Sequence, residues 1–245
     1  LSGCACRTGC VRPVLARLFA VLVTVVLGAA GCAWWDGAWV TPAPGSPTRA
    51  QVEGLLAGVR VVEKRVRPGG YERGCRSGQG CVFGPSWSDD HDAPGGHDGC
   101  DTRNNVLAAQ LREVRFRPGT RDCVVESGTF HDPYTGDAVT FDKSRAREVE
   151  IDHLFPLAAA WDLGASTWPP ARRRAFANDM ETNLVATTAS VNRDKGDRTP
   201  ADWLPPSRPN HCYFAGRYLT VATRYDLPLT TADHEALTKV ARTCP

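Results

Sequence analysis

Six cysteines, Cys75, Cys81, Cys100, Cys123, Cys212 and Cys244, are distributed through the body of this 245-residue chain, and they constrain its fold more than any other feature. An even number of cysteines downstream of an export leader implies a disulfide framework assembled in an oxidising compartment. Six thiols allow 15 pairings. Joining nearest neighbours in sequence gives Cys75–Cys81, Cys100–Cys123 and Cys212–Cys244. Structural zinc is the rival reading, and the absence of any Cys-x-x-Cys pair weighs against it.

The leader is read from the first 32 residues. Arg7, Arg12 and Arg17 precede the apolar run Leu18–Ala30, which only Thr24 interrupts. Thirteen residues at a ~1.5 Å rise span about 20 Å, short of the ~30 Å hydrocarbon core. A basic lead, a short apolar run and small residues describe a secretory signal, with a short tilted anchor as the alternative. The run closes on Leu27-Gly28-Ala29-Ala30-Gly31-Cys32, which resembles a bacterial lipobox with Ala29 in place of the usual bulky aliphatic residue. Cys32 is therefore the expected lipidation site, with simple cleavage and release as the other outcome. The protein is expected to be secreted or lipid-anchored at the outer face of a bacterial cell membrane. Residues 33–47, with Pro42, Pro44, Gly45 and Pro47, read as a flexible tether. Removing three of 29 basic residues and none of 27 acidic ones leaves 26 against 27, so contact with a polyanion must come from local patches.

Beyond the tether the pattern is α+β. Helices are expected at Thr48–Val59, Asp101–Leu111, Leu157–Leu163, Ala171–Asn178, Thr188–Lys195, Cys212–Tyr225 and Thr231–Arg242. Strands are expected at Val114–Phe116, Cys123–Phe130, Ala138–Phe141, Glu148–His153 and Asn183–Thr187. Asp132-Pro133-Tyr134-Thr135-Gly136 has hairpin-turn chemistry. Residues 67–100, rich in Gly, Asp, Ser and Pro, read as a long loop region.

The chemistry-bearing stretch is Asp152-His153-Leu154-Phe155-Pro156, followed by Asn183-Leu184 and then Asn192-Arg193-Asp194-Lys195-Gly196. Asp152 and His153 are adjacent at a strand end, where neighbouring side chains point to opposite faces, so a bend is expected to bring them to one site. Asn192 and Lys195 are i,i+3 on a helix and share a face. A neutral imidazole can take a proton from water. Two side-chain oxygens suit a hard divalent ion, Mg²⁺ or Mn²⁺.

This order of residues resembles the HNH endonucleases, also called ββα-metal or His-Me finger nucleases. The longer resemblance is to the C-terminal nuclease domain of GmrSD-type restriction enzymes and to secreted bacterial HNH proteins. It is carried by Gly99-Cys100-Asp101-Thr102-Arg103-Asn104, the Asp132–Gly136 turn, Phe176-Ala177-Asn178-Asp179 and Asp202-Trp203-Leu204-Pro205-Pro206. The resemblance implies one nuclease domain over residues 48–245, with a ββα-metal core at about 148–198, a small mostly antiparallel sheet and a C-terminal helical pair. It implies His153 as general base, with Asn183 holding its ring, and Asp152 and Asn192 as metal ligands. Lys195 would contact a phosphate or back the site, and Arg103 and Arg193 are substrate-binding candidates. The partner would be nucleic acid, with DNA favoured over RNA. The rival function is a catalytically inactive, disulfide-tied surface or envelope protein of the same fold.

Overall fold

The structure, a computed structural model, describes residues 41–245. The expected leader, the Cys32 lipidation site and the first part of the tether lie outside the described residues. Among the described residues no helix is long and apolar enough to cross a membrane.

The chain enters through α1 (Arg49–Gly58), started by a capping box in which Thr48 and Gln51 satisfy each other's backbone N–H groups. The end of the expected tether is part of the folded unit. Ala43 donates its N–H to the Pro209 carbonyl at 2.8 Å. Pro47 also lies so near Gly216 that a Cβ there would come within 2.6 Å of its Cγ. After β1 (Val61–Val62) comes the long loop region, then α2 (Thr102–Gln110), capped by the Asp101 side chain.

Strands β2 (Arg112–Phe116), β3 (Val125–His131) and β4 (Ala138–Asp142) form an antiparallel meander. The expected turn links the last two. Asp132 accepts the Tyr134 N–H on its side chain and the Gly136 N–H on its carbonyl, and Gly136 takes a positive φ of 80° that suits glycine.

β5 (Val149–His153) pairs antiparallel with β6 (Leu184–Thr188), from Val149 opposite Thr188 to His153 opposite Leu184. The connection holds α3 (Leu157–Asp162) and α4 (Pro170–Ala177). β6 then runs directly into α5 (Ala189–Lys195). Gly196 ends that helix at φ 55° and donates its N–H to the Asn192 carbonyl.

The β5–β6 pair separates two apolar clusters. Val149, Ile151, Leu184 and Ala186 face the smaller one with Val106, Leu107, Phe130 and Phe141. Val185 faces the larger, aromatic cluster with Phe155, Phe176, Phe214 and Tyr218. This alternation follows from the period-two pleat. It leaves Glu150 and Asp152 on the side where α5 packs.

α6 (His211–Tyr225), β7 (Leu229–Thr230) and α7 (Thr231–Ala241) close the chain, with β7 beside β1 in parallel. The two-residue β1 and β7 carry no sequence pattern that announces them. The fold is thus α+β with small, mostly antiparallel sheets.

All three nearest-neighbour bridges are present. Cα–Cα separations are 4.4 Å for Cys75–Cys81, 5.4 Å for Cys100–Cys123 and 5.6 Å for Cys212–Cys244. The last ties the start of α6 to the end of the chain. By loop entropy, a bridge closing a 32-residue separation destabilises the unfolded chain by about 3.7 kcal/mol. The Cys212→Ser/Cys244→Ser variant should lose about that much in urea unfolding, and an unchanged midpoint would contradict it.

Candidate active site

A cleft of about 780 Å³ opens at the end of β5. Its wall includes Asp152 and His153 from the strand end, Asn192 and Arg193 from α5, Arg103 from α2, and Tyr71, Arg73 and Trp87 from the loop region.

Asp152 and His153 diverge as the pleat requires, and the cleft wraps round the strand end to meet both. Asp152 faces α5. Its Oδ2 accepts from the Tyr134 hydroxyl at 2.6 Å and from Lys195 Nζ at 2.8 Å. Burial, and then the Asp152 charge, hold the Tyr134 phenol well above its ordinary pKa, so it stays a donor. Tyr134 was not legible as a site residue, although the turn that delivers it was. Among the described residues Asp152 Oδ1 has no hydrogen-bond partner.

His153 turns the other way, toward α4. Its Nε2 lies 2.8 Å from the Ala177 carbonyl, one of the last carbonyls of that helix. A carbonyl only accepts, so Nε2 carries the proton and Nδ1 keeps its lone pair. The Trp87 ring lies nearly parallel to the imidazole, 6.0 Å between centroids. Burial, then the nearby Arg73 charge, push the imidazole pKa down to about 3, with Lys195 adding in the same direction against the Ala177 hydrogen bond.

The sign of the stability effect follows. An unfolded histidine near pKa 6.5 takes up a proton below that pH, and folded His153 does not until about pH 3. Its contribution is complete above about pH 6.5 and is lost as pH falls toward 3. In chelator, wild-type stability to urea should fall between pH 6.5 and 4.5 more steeply than that of His153→Asn. The excess slope should approach about 1.4 kcal/mol per pH unit. Equal slopes would mean that His153 titrates normally.

One expected contact changes, and two further residues have structural partners. Asn183 does not hold the imidazole; the Ala177 carbonyl does. Asn183, fully buried, fastens the chain after His153: its backbone carbonyl accepts from Leu154 N–H and its Oδ1 from Phe155 N–H, at 2.8 and 2.9 Å. Lys195 is 0% exposed and lies between Asp152 Oδ2 and the His153 carbonyl, 2.9 Å away, so of its two expected roles it takes the one that backs the site, as a buried strut. Arg103 spends its Nη2 on the Ala146 and Val149 carbonyls, tying α2 to the start of β5 from the cleft wall.

α5 lies along β5 so that two pairs form. Asn192 Nδ2 donates to Glu150 Oε2 at 2.7 Å, and Lys195 meets Asp152. Three helical residues rise ~4.5 Å and two strand residues ~6.6 Å, and the long lysine stem makes up the difference. Arg193, 68% exposed, pairs with Glu150 at 3.3 Å. Glu150 is a site residue that the sequence signals only by its i,i+2 relation to Asp152. The Arg172-Arg173-Arg174 run does not line the cleft; each guanidinium finds a partner at Tyr225, Trp168, Val82 or Asp90.

Among the described residues no three His, Cys, Asp or Glu side chains converge as a metal cage. The donor set for a cation is instead mixed. Asp152 Oδ1 and Asn192 Oδ1 are carboxylate and amide oxygens on one cleft wall, and neither has a hydrogen-bond partner among the described residues. With water and phosphate oxygens they suit a hard divalent ion.

Residues 101–240 match the family described as GmrSD restriction endonucleases, C-terminal domain, and the chain belongs to that family. The match runs from the N-cap of α2 into α7 and takes in Asp152, His153, Asn183, Asn192 and Lys195. A relative from Arthroderma benhamiae, described as an uncharacterized secreted protein, is 37% identical over 146 residues, covering 59% of this chain and 68% of its own. No solved structure matches.

Proposed function

We propose that this protein is an exported, metal-dependent HNH endonuclease that hydrolyses phosphodiester bonds, with DNA as its substrate. The observation that carries the reading is the His153 ring: its Nε2–H is fixed on the Ala177 carbonyl, Nδ1 has no hydrogen-bond partner among the described residues, and the residue lines the cleft together with Asp152 and Asn192. Membership of a restriction endonuclease family supports the reaction class. The antiparallel β5–β6 pair followed by α5 supports a ββα-metal core.

In this reading Nδ1 of His153 accepts a proton from water, and the water oxygen attacks phosphorus as the bond to the 3′ oxygen breaks. The products carry 5′-phosphate and 3′-hydroxyl ends. Asp152 Oδ1 and Asn192 Oδ1 would hold Mg²⁺ or Mn²⁺, which supplies Lewis-acid stabilisation of the phosphate and leaving-oxygen charge. Tyr134 and Lys195 occupy Oδ2 of Asp152 and so fix which oxygen faces the cleft. Glu150 orients the Asn192 amide, and Asn183 sets the turn after His153. Three disulfides and the secreted relative support an extracytoplasmic location, released or anchored through lipidated Cys32.

Supercoiled plasmid is the test substrate. The purified oxidised domain should nick it with Mg²⁺ or Mn²⁺, and excess chelator should abolish the cleavage. A folded, oxidised protein that leaves plasmid and single-stranded RNA intact with either metal would sink the proposal.

A further inference from the structure

The stretch from Tyr71 to Trp87 lies outside the part of the chain matched to the family, yet it builds one side of the cleft. It is a hairpin-like excursion. The Glu72 carbonyl accepts from Val82 N–H at 3.0 Å and the Gly74 carbonyl from Cys81 N–H at 2.9 Å. Gly80 N–H donates to Glu72 Oε2 at 2.7 Å, and the Cys75–Cys81 bridge closes the tip. The base is pinned in the aromatic core, where Tyr71, Phe83 and Trp161 have centroids 6.2–6.3 Å apart. A surface loop with a bridge at its tip and an aromatic anchor at its base is a rigid arm rather than a mobile one.

Arg73 is set on that arm, two residues before Cys75. It lines both the main cleft and the small recess behind it, and His153 belongs to both. Three basic residues stand on the cleft wall. Arg103 is taken up by the Ala146 and Val149 carbonyls and Arg193 by Glu150. Among the described residues the Arg73 side chain has neither a hydrogen bond nor an ion pair. A guanidinium fork left unpaired beside the imidazole matches a phosphate in geometry and charge.

We propose that Arg73 binds a nucleic-acid phosphate in the cleft that His153 lines, and that the bridged arm from Tyr71 to Trp87 is this protein's own device for placing it there. The assignment rests on the nuclease reading and adds to it a substrate-contacting residue from outside the family domain. The main cleft also shares Tyr71, Ala158 and Asp197 with a second groove of about 370 Å³ lined by Arg65 and Arg67. Arg65 there is paired with Asp162 and Asp197, which leaves Arg67, 81% exposed, as the groove's more available cation.

The test separates the contact from the chemistry. Binding of a fluorescein-labelled DNA duplex is followed by anisotropy in EDTA between about 50 and 200 mM salt. Arg73→Ala should weaken binding about tenfold, and the slope of log affinity against log salt should drop by about 0.9, the loss of one phosphate contact. Arg73→Lys should keep the slope, and Arg76→Ala, exposed at the tip and away from the cleft, should match wild type in both. Cleavage of the same duplex with Mg²⁺ by Arg73→Ala should fall at least tenfold in kcat/KM. If Arg73→Ala retains the wild-type slope while the wild-type protein cleaves DNA, the Arg73 assignment is wrong and the nuclease reading survives. An equal drop in Arg76→Ala would show diffuse charge rather than a placed contact, and would also overturn it. A wild-type protein that neither binds nor cuts DNA or single-stranded RNA would remove the nuclease reading and this proposal together.

Discussion

Lys195→Ala should destabilise the protein by about 4 kcal/mol, the range found when one member of a buried ion pair is removed. The Lys195 side chain is fully buried, and its ammonium makes two contacts: Asp152 Oδ2 at 2.8 Å and the His153 carbonyl at 2.9 Å. Truncation leaves the Asp152 carboxylate, itself only 6% exposed, with Tyr134 as its remaining donor, and leaves the His153 carbonyl without a partner. It also empties the space of the lysine stem beneath β5. Lys195→Met refills most of that volume but leaves the charge uncompensated, so it should recover little. Lys195→Met combined with Asp152→Asn removes both charges and keeps a carbonyl oxygen for Tyr134, and should recover more than half of the loss. Urea unfolding of Lys195→Met, Asp152→Asn and the double variant isolates the pair term. A loss under about 1 kcal/mol for Lys195→Ala would place the ammonium in solvent.

The parts of the fold that could be read from the residues are those with local causes. Thr48 and Asp101 cap helices where their side chains suggest, and Asp132–Gly136 turns because Asp132 satisfies the following N–H groups. The β5–β6–α5 succession was expected as Glu148–His153, Asn183–Thr187 and Thr188–Lys195, and each element starts and ends within a residue of those bounds. The bridges followed nearest neighbours because each closes between elements that already meet. Contacts made by backbone groups or across long separations were not legible. Val61–Val62 pairs with Leu229–Thr230 over two residues, too few for a pattern. The acceptor for His153 is the carbonyl of Ala177, and a carbonyl is common to every residue. The resemblance implied Asn183 there, through its side chain or its backbone carbonyl, and both of those oxygens instead accept from the Phe155 and Leu154 N–H groups. The sequence did mark the relevant place, because Phe176-Ala177-Asn178-Asp179 is one of the blocks that carried the resemblance. Tyr134 and Arg73 were missed for a different reason: each reaches the site from an element whose packing cannot be inferred from spacing.

His153→Ala should lower kcat for plasmid or duplex cleavage on the order of 10² to 10⁴-fold, the loss expected for a general base. The geometry sets further expectations that a merely structural histidine would not meet. Nε2 is committed to the Ala177 carbonyl at 2.8 Å, so the proton leaves water toward Nδ1. An imidazole that stays neutral down to about pH 3 keeps its lone pair across the neutral range, though as a weaker base than a free histidine, so wild-type cleavage should show no acid limb near 6.5. In His153→Ala the residual rate should instead climb with pH, because hydroxide must replace the lost base. Added imidazole should restore part of the rate by entering the space between Trp87 and α4. Duplex affinity in EDTA should stay near wild type, since the ring makes no phosphate contact in this reading. Wild-type turnover by a folded His153→Ala protein, or a residual rate that is low and flat with pH, would take the base away from His153. In that event the imidazole is a buried strut between Trp87 and the end of α4, and the proton acceptor has to be sought at Glu150 or Asp197, the other carboxylates that line the cleft.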